Sequence, residues 1–295
     1  MPVRSDGKTH WVDEVLHENG GLVISYRADR IIFEESTGQQ HLVIYDNQTF
    51  GRMMALDGAT QVTEKDEFVY HEMMTHVPVL AHGNVKRLLI IGGGDGGILR
   101  EAVRHKGIEK ITMVEIDPAV TNLAKEHLPM ISAGAFDDPR LDLIFTDGAE
   151  FVRTSSEQYD VIIVDSTDPV GPGVVLFEEE FYRNAKARLT EGGILVTQNG
   201  VPFLQSTELS STMAKFKRLF RYAHCYVATI PTYVGGFMAM GWGTDDEFLN
   251  AVTVETLTHR YREAGLKTRY YTPAVHKAAF ALPAFIEEIV AKAAD

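Results

Sequence analysis

The stretch LLIIGGGDGGILRE, residues 88–101, runs from an apolar segment through a glycine turn into a helical pattern. Leu88 to Ile91 form a short unbroken aliphatic run, the pattern of a strand buried on both faces. Gly92, Gly94 and Gly97 then satisfy G-x-G-x-x-G, which permits a tight turn and close backbone approach to a ligand at a helix start. The same rhythm recurs along the chain. LLIIGGGD ends at Asp95, ITMVE at Glu115, LDLIFTD at Asp147 and YDVIIVD at Asp165. Helical patterns separate these runs, so a doubly wound α/β sheet of parallel strands is expected, with its ligand outside the carboxyl ends of the strands. Four acids at those ends suit hydroxyls, amines and cations, and disfavour phosphate.

Upstream, from Gly21 to about Val62, short strand-like runs are punctuated by Gly38, Asp46-Asn47 and Asp57-Gly58. These are hairpin signals, and they predict a small antiparallel sheet. Phe68, Met73, Met74 and Val77 fall at helical spacing, with Pro78 expected to end that helix. Two domains follow from this: an N-terminal β-strand domain at 1–66 and a Rossmann-like domain at 67–295. Downstream, a helix is expected near Glu179 to Leu189, a strand at GGILVTQN, and a helix from Thr207 to Phe220. The last portion adds strands around Tyr226 and Phe237 and helices at 253–264 and 283–294.

Composition narrows the function class. The net charge of -13 and the absence of a Lys/Arg stripe argue against a nucleic-acid partner. Tyr222 to Thr244 lacks Asp, Glu, Lys and Arg, but Pro231, Gly235, Gly236, Gly241 and Gly243 break it into two core strands rather than a membrane span. Cys225 is the single cysteine, so no internal disulfide forms, and a small buried hydrophobe is expected there. The opening MPVRSDGKTHWVDEV has no apolar signal core, and a cytoplasmic enzyme is expected.

The glycine turn followed by Glu115 fits a nucleoside, whose ribose hydroxyls an acid can hold. Dinucleotides and S-adenosyl compounds share that geometry, and Asp95 discriminates between them. A carboxylate in the loop repels a pyrophosphate and attracts a sulfonium carrying an amine. Asp147, followed by Gly148, can accept from an adenine amino group, or it can cap the next helix. Asp165 and Asp168 in DSTDP should face Asp95 across the switch point, with a helix cap or Asx turn as the competing role for Asp168. The segment 167–177, rich in Gly and Pro, reads as a loop able to close over the cleft. In HEMMTH the two histidines stand five apart, on different helix faces, so no shared metal is expected. Tyr70 and His71 can instead face the cleft from the domain junction, as can Tyr233 in IPTYVGG.

At this point the residues resemble a family, the bacterial spermidine synthases, or polyamine aminopropyltransferases. The resemblance is carried by MALDGATQVTEKDEFVYHEMMTHVPVLAH, LLIIGGGDGGILRE, MVEID, TDG, DVIIVDSTDPVGP, QNG, IPTYVGG and RYYTPAVHKAAFALP. It implies a methyltransferase-like Rossmann domain behind a small β-domain, a homodimer or homotetramer, and no tightly bound cofactor. Decarboxylated S-adenosylmethionine is the implied co-substrate and putrescine or a similar diamine the acceptor. By position, Gln39 matches the donor-nucleoside glutamine, with Gln40 as the alternative register. His71 and Asp95 match residues holding the amine-bearing part of the ligands, Glu115 the ribose contact, and Asp147 with Gly148 the adenine contact. Asp165 matches the catalytic aspartate, Ser166, Thr167 and Asp168 the amine site, and Pro172 a donor-side contact. Tyr70 and Tyr233 match tyrosines flanking the acceptor.

Rival readings are an amine N-methyltransferase using intact S-adenosylmethionine, a non-catalytic nucleoside or polyamine binder, and, least favoured, a nicotinamide dehydrogenase. Methyltransferases commonly carry an acid two residues before the first glycine, where this chain has Ile90. The acid at Asp95 instead favours an ammonium tail over a carboxylate one.

Overall fold

The computed structural model describes residues 3–166 and 171–293, with backbone alone at 171 and 172. Seven strands come first: β1 (Val3–Ser5), β2 (His10–Glu14), β3 (Ile24–Ala28), β4 (Arg30–Ser36), β5 (His41–Asn47), β6 (Gly51–Leu56) and β7 (Ala59–Thr63). They form two antiparallel sheets, β1-β2-β3 and β4-β5-β6-β7, where the sequence suggested one sheet beginning near Gly21. Asp57 and Gly58 join β6 to β7 with both φ angles positive, at 47° and 77°. That is the two-residue turn whose twist matches paired strands. Val12, Tyr26 and Ala28 of the smaller sheet pack on Val43, Tyr45 and Met53 of the larger.

The chain then enters α1 (Glu67–His82), β8 (Arg87–Gly92), α2 (Gly97–Val103), β9 (Lys110–Glu115), α3 (Pro118–His127), α4 (Pro129–Ser132), β10 (Leu141–Phe145), α5 (Gly148–Thr154) and β11 (Tyr159–Asp165). It continues through α6 (Glu179–Ala187), β12 (Leu189–Gln198), α7 (Ser206–Leu219), β13 (Tyr222–Ala228), β14 (Met238–Thr244), α8 (Val254–Glu263), α9 (Pro273–Ala279) and α10 (Ala284–Lys292). The seven-stranded sheet has the order β10-β9-β8-β11-β12-β14-β13, with β14 antiparallel to both its neighbours. This is the expected methyltransferase-like α/β fold, with a mixed rather than wholly parallel sheet.

Burial of both sheet faces explains the unbroken apolar runs. Leu88 and Ile90 of β8, with Val161 and Ile163 of β11, face the core beneath α1, α2 and α8. Leu89, Ile91, Ile162 and Val164 face the opposite core with α6, α7 and α10. Strand order reverses between β8 and β11, which pair in parallel with Asp165 opposite Gly92. A crevice at the carboxyl ends is the geometric result.

Pro78 does not end α1; the helix continues to His82. A mid-helix proline costs about 3 kcal/mol through its lost N–H and a clash with the carbonyl four residues back. Burial of α1 from Glu67 to Ala81, excepting Phe68, offsets that cost. Tyr226 Oη also donates to the Met73 carbonyl at 3.1 Å, beside the Met74 carbonyl that Pro78 leaves without its helical N–H. The segment Tyr222–Thr244 forms the antiparallel pair β13 and β14, and Cys225 lies buried within it. Its thiol is pushed up to about 12 by burial.

Candidate active site

A cavity opens at the carboxyl ends of β8, β9 and β11. Gly92 to Asp95, Glu115, Asp147, Gly148, Asp165 and Ser166 line it from the sheet, and Tyr70 and His71 line it from α1. Met54, Leu56, Ile91, Val114, Ile116, Val120 and Leu176 supply an apolar wall suited to a flat heterocycle. All four strand-end carboxylates predicted from the sequence therefore share one cavity.

The glycine turn sets their spacing. Gly92 has φ 82°, and a Cβ there would lie 2.0 Å from the Asp165 carbonyl oxygen. A Cβ on Gly97 would lie 2.1 Å from the His71 ring, so the start of α2 approaches α1 closely only because residue 97 lacks a side chain. Asp95 Oδ1 accepts the Gly97 N–H at 2.7 Å, and its other oxygen faces His71 Nε2 at 3.5 Å.

Residues 67, 70 and 71 share one face of α1, as i, i+3 and i+4 spacing requires. Tyr70 Oη donates to Asp165 Oδ1 at 2.7 Å. His71 Nδ1 meets Glu67 Oε2 at 2.6 Å. Burial opposes charge on the His71 ring, but the carboxylates of Asp95 and Glu67 outweigh it and raise its pKa to about 10. Both ring nitrogens face carboxylates, an arrangement that favours the imidazolium.

Two carboxylates are pushed toward their neutral form. Removal from solvent, reinforced by the Asp95 charge, raises Asp165 to about 6, against the opposing pull of His71 and the Tyr70 hydrogen bond. Burial raises Glu115 to about 7, although it accepts the Asp117 N–H at 2.9 Å. Asp165 is thus poised near the pH at which a general base works best.

Asp147 does both things the sequence left open. Its Oδ1 caps α5, accepting from Ala149 N at 2.7 Å and Glu150 N at 3.3 Å, while the residue still lines the cavity. Tyr233 lines the cavity too, its ring 5.9 Å from that of Tyr70 and its hydroxyl donating to the Gln61 carbonyl at 2.6 Å. The turn carrying Tyr233 is tied to the start of α1 by Asp66 Oδ2, which accepts from Thr232 N at 2.9 Å and Thr232 Oγ1 at 2.7 Å.

Gln39 is the exception. It is exposed at the apex of the β4–β5 turn, and Gln40 lines the cavity instead. The register follows from Thr37, whose N–H donates to the Gln40 carbonyl at 2.9 Å and whose Oγ1 donates to Asp117 Oδ2 at 2.6 Å. This clamp fixes the hairpin against the β9–α3 connection. Thr167 and Asp168 lie outside the described residues, as does the Pro172 side chain. Of the expected closing loop 167–177, Gly173, Val175 and Leu176 line the cavity.

Sequence reasoning missed Glu14, His17, Gln198 and Gln205, which also line it. Glu14 is a buried carboxylate on β2, accepting the Thr60 N–H at 3.3 Å. Gln198 ends β12, and its Oε1 accepts Gly200 N–H at 2.9 Å. An amide at the end of GGILVTQN was a legible signal, since it is the next strand end along the crevice. Glu14 had none, because only packing between sheets brings it there.

His71 and His76 diverge as their spacing requires. His71 faces the cavity, whereas His76 is fully buried against Glu101 Oε2 and His105 Nε2, each at 2.9 Å.

Known proteins match this chain over most of its length. The family model described as "Spermine/spermidine synthase domain" matches residues 67–255, and that described as "Spermidine synthase tetramerisation domain" matches 9–64. The polyamine aminopropyltransferase of Ruegeria sp. (strain TM1040) is 54% identical over 282 residues, covering 96% of this chain and 99% of that one. Polyamine aminopropyltransferase 1 of Pseudomonas aeruginosa is 53% identical over 279 residues, covering 95% and 97%. Among solved structures, a spermidine synthase in complex with the transition-state analogue AdoDATO matches with TM-score 0.90 at 35% identity, covering 95% of this chain and 94% of that one. Spermidine synthase from Thermotoga maritima matches with TM-score 0.87 at 34% identity and the same coverage.

Proposed function

Because the chain belongs to the spermine/spermidine synthase family of aminopropyl-transferring enzymes, we propose that it moves the aminopropyl group of decarboxylated S-adenosylmethionine to putrescine, giving spermidine and 5′-methylthioadenosine. The observation that carries this reading is the placing of Asp95 and Asp165 in one cavity at the glycine turn, with His71 of α1 facing Asp95 and Tyr70 of α1 bonded to Asp165.

In this reading the nucleoside lies along the apolar wall, its ribose on Glu115 and its adenine at Asp147 and Gly148. Gln40 takes the donor-side role first assigned to Gln39. Asp95 receives the donor's ammonium, a group intact S-adenosylmethionine shares but accompanies with a carboxylate that Asp95 repels. Tyr70, Tyr233, Ser166, Thr167 and Asp168 flank the acceptor, and Pro172 the donor, the last three assignments resting on the family pattern alone.

The acceptor nitrogen attacks the propyl carbon next to sulfur, the carbon–sulfur bond breaks, and the electron pair leaves with methylthioadenosine. An alkylammonium of lysine-like pKa must first lose a proton, at a cost of roughly 4 to 5 kcal/mol at neutral pH. Asp165 accepts that proton, directed by the Tyr70 hydroxyl, as a positioned general base. The spermidine synthase tetramerisation match supports a homodimer or homotetramer as the working form.

Incubation with the decarboxylated and intact donors and a series of diamines, followed by mass spectrometry, tests the reading. Methylthioadenosine with spermidine supports it; adenosylhomocysteine with a methylated amine replaces it with the methyltransferase alternative.

A further inference from the structure

His71 lies between two carboxylates of unequal standing. Glu67 is gripped by Arg100 through a two-pronged pair, Nη2 to Oε2 at 2.8 Å and Nη1 to Oε1 at 3.1 Å. Two further Arg100 donors are placed, Nε on Glu101 Oε1 and Nη1 on the Ile131 carbonyl, both at 2.8 Å. The side chains of Glu67, His71 and Arg100 are only 6%, 3% and 16% exposed, so these pairs are little screened by water. The guanidinium already answers the Glu67 charge. Asp95 is the carboxylate left for the imidazolium, through the oxygen that Gly97 does not use.

We propose that Glu67 and Arg100 are positioning residues for His71: they hold its Nδ1–H on Glu67, so that Nε2–H occupies Asp95 until a substrate ammonium replaces it and one proton leaves. The proposal rests on reading Asp95 as the donor-ammonium site. The exchange balances simply. The ammonium keeps its three hydrogens and donates one to Asp95 Oδ2, the Nε2 proton passes to solvent, and the bared Nε2 lone pair can accept from the same ammonium.

The charges around the ring favour this exchange. His71 is faced by Glu67 on its own helix, Asp95 on the glycine turn, Arg100 on α2 and Asp165 on β11, with the Tyr70 ring 5.6 Å away. Arriving at Asp95, an ammonium cancels the negative charge that stabilises the imidazolium and adds a positive one beside it. Both changes drive the proton off. A neutral product such as methylthioadenosine does neither.

Calorimetric titration of the full chain at pH 8, in two buffers of different ionisation enthalpy, counts the protons. Decarboxylated S-adenosylmethionine is expected to release roughly one, and methylthioadenosine none. Arg100→Met leaves Glu67 as the uncompensated carboxylate, so His71 should keep its proton for Glu67. Donor-linked release should then fall to a minor fraction and donor Kd rise by about tenfold or more, as for loss of a charged hydrogen bond. Methylthioadenosine affinity should stay within about twofold, which a general structural defect would not allow. Arg100→Lys, retaining charge without the fork, should fall between.

Tight donor binding to the wild-type protein with no proton released would overturn the proposal, and that measurement stands even where Arg100→Met does not fold. Wild-type release and affinity in a folded Arg100→Met would overturn it equally. Methylthioadenosine binding with no affinity for the decarboxylated donor would instead remove the donor-site reading beneath it.

Discussion

Tyr70 donates its hydroxyl to Asp165 at 2.7 Å, joining the helix that follows the N-terminal sheets to the end of the strand that meets the glycine turn. The bond uses Oδ1 of Asp165, and the residue still lines the cavity. A phenol whose own pKa is raised well above its ordinary value, first by burial and then by the Asp165 charge, stays a donor throughout the working pH range. The pair is therefore a fixed donor beside a base that titrates.

Replacing the base separates chemistry from binding. Asp165→Asn should lower turnover by roughly two to four orders of magnitude, the usual contribution of a positioned general base. Methylthioadenosine binding, measured by calorimetry, should change little, because the proposed nucleoside contacts are Glu115 and Asp147.

The pH profile follows from the sign of the Asp165 shift. A base raised to about 6 is active when deprotonated, so kcat/KM should be full above that pH and fall as pH drops through it. The Asp95 charge contributes to that upward shift, second only to burial. Tyr70→Phe removes a hydrogen bond that lowers the Asp165 pKa, so the acid limb should move to higher pH. An unmoved limb would detach Tyr70 from Asp165.

Asp95→Asn tests donor selection. The variant should weaken decarboxylated S-adenosylmethionine far more than intact S-adenosylmethionine, whose carboxylate the wild-type aspartate repels. Competition binding of the two donors reads the ratio directly, and equal losses would contradict the charge argument.

Gly97→Ala tests the close approach of α2 to α1. Its new Cβ would sit 2.1 Å from the His71 imidazole, so ring or helix must shift. Overpacking of that kind costs about 1–3 kcal/mol. A lowered melting temperature is expected together with donor affinity reduced more than methylthioadenosine affinity, because His71 borders Asp95, the proposed ammonium site, and not the proposed nucleoside wall.

Much of this site was legible because strand ends are local features. Asp95, Glu115, Asp147 and Asp165 each close an apolar run, and the parallel order β10-β9-β8-β11 brings them together with no further information. Residues delivered by packing between sheets were not legible. Glu14 arrives from β2, which precedes the first hairpin signal, and the choice between the Gln39 and Gln40 registers needed the turn that Thr37 clamps to Asp117, which leaves Gln40 lining the cavity. Local propensity also failed at Pro78, where burial of α1 prevails over a helix breaker. Arg100 and Glu67 read as ordinary helix charges until α1 and α2 are placed side by side.

The most direct test is product analysis from decarboxylated S-adenosylmethionine and putrescine with purified protein. Equal amounts of methylthioadenosine and spermidine, formed by the wild type and lost to about one part in a hundred or less in Asp165→Asn, are predicted. Spermidine formation undiminished in Asp165→Asn, or methylated amine and adenosylhomocysteine made from intact S-adenosylmethionine instead, would contradict the account.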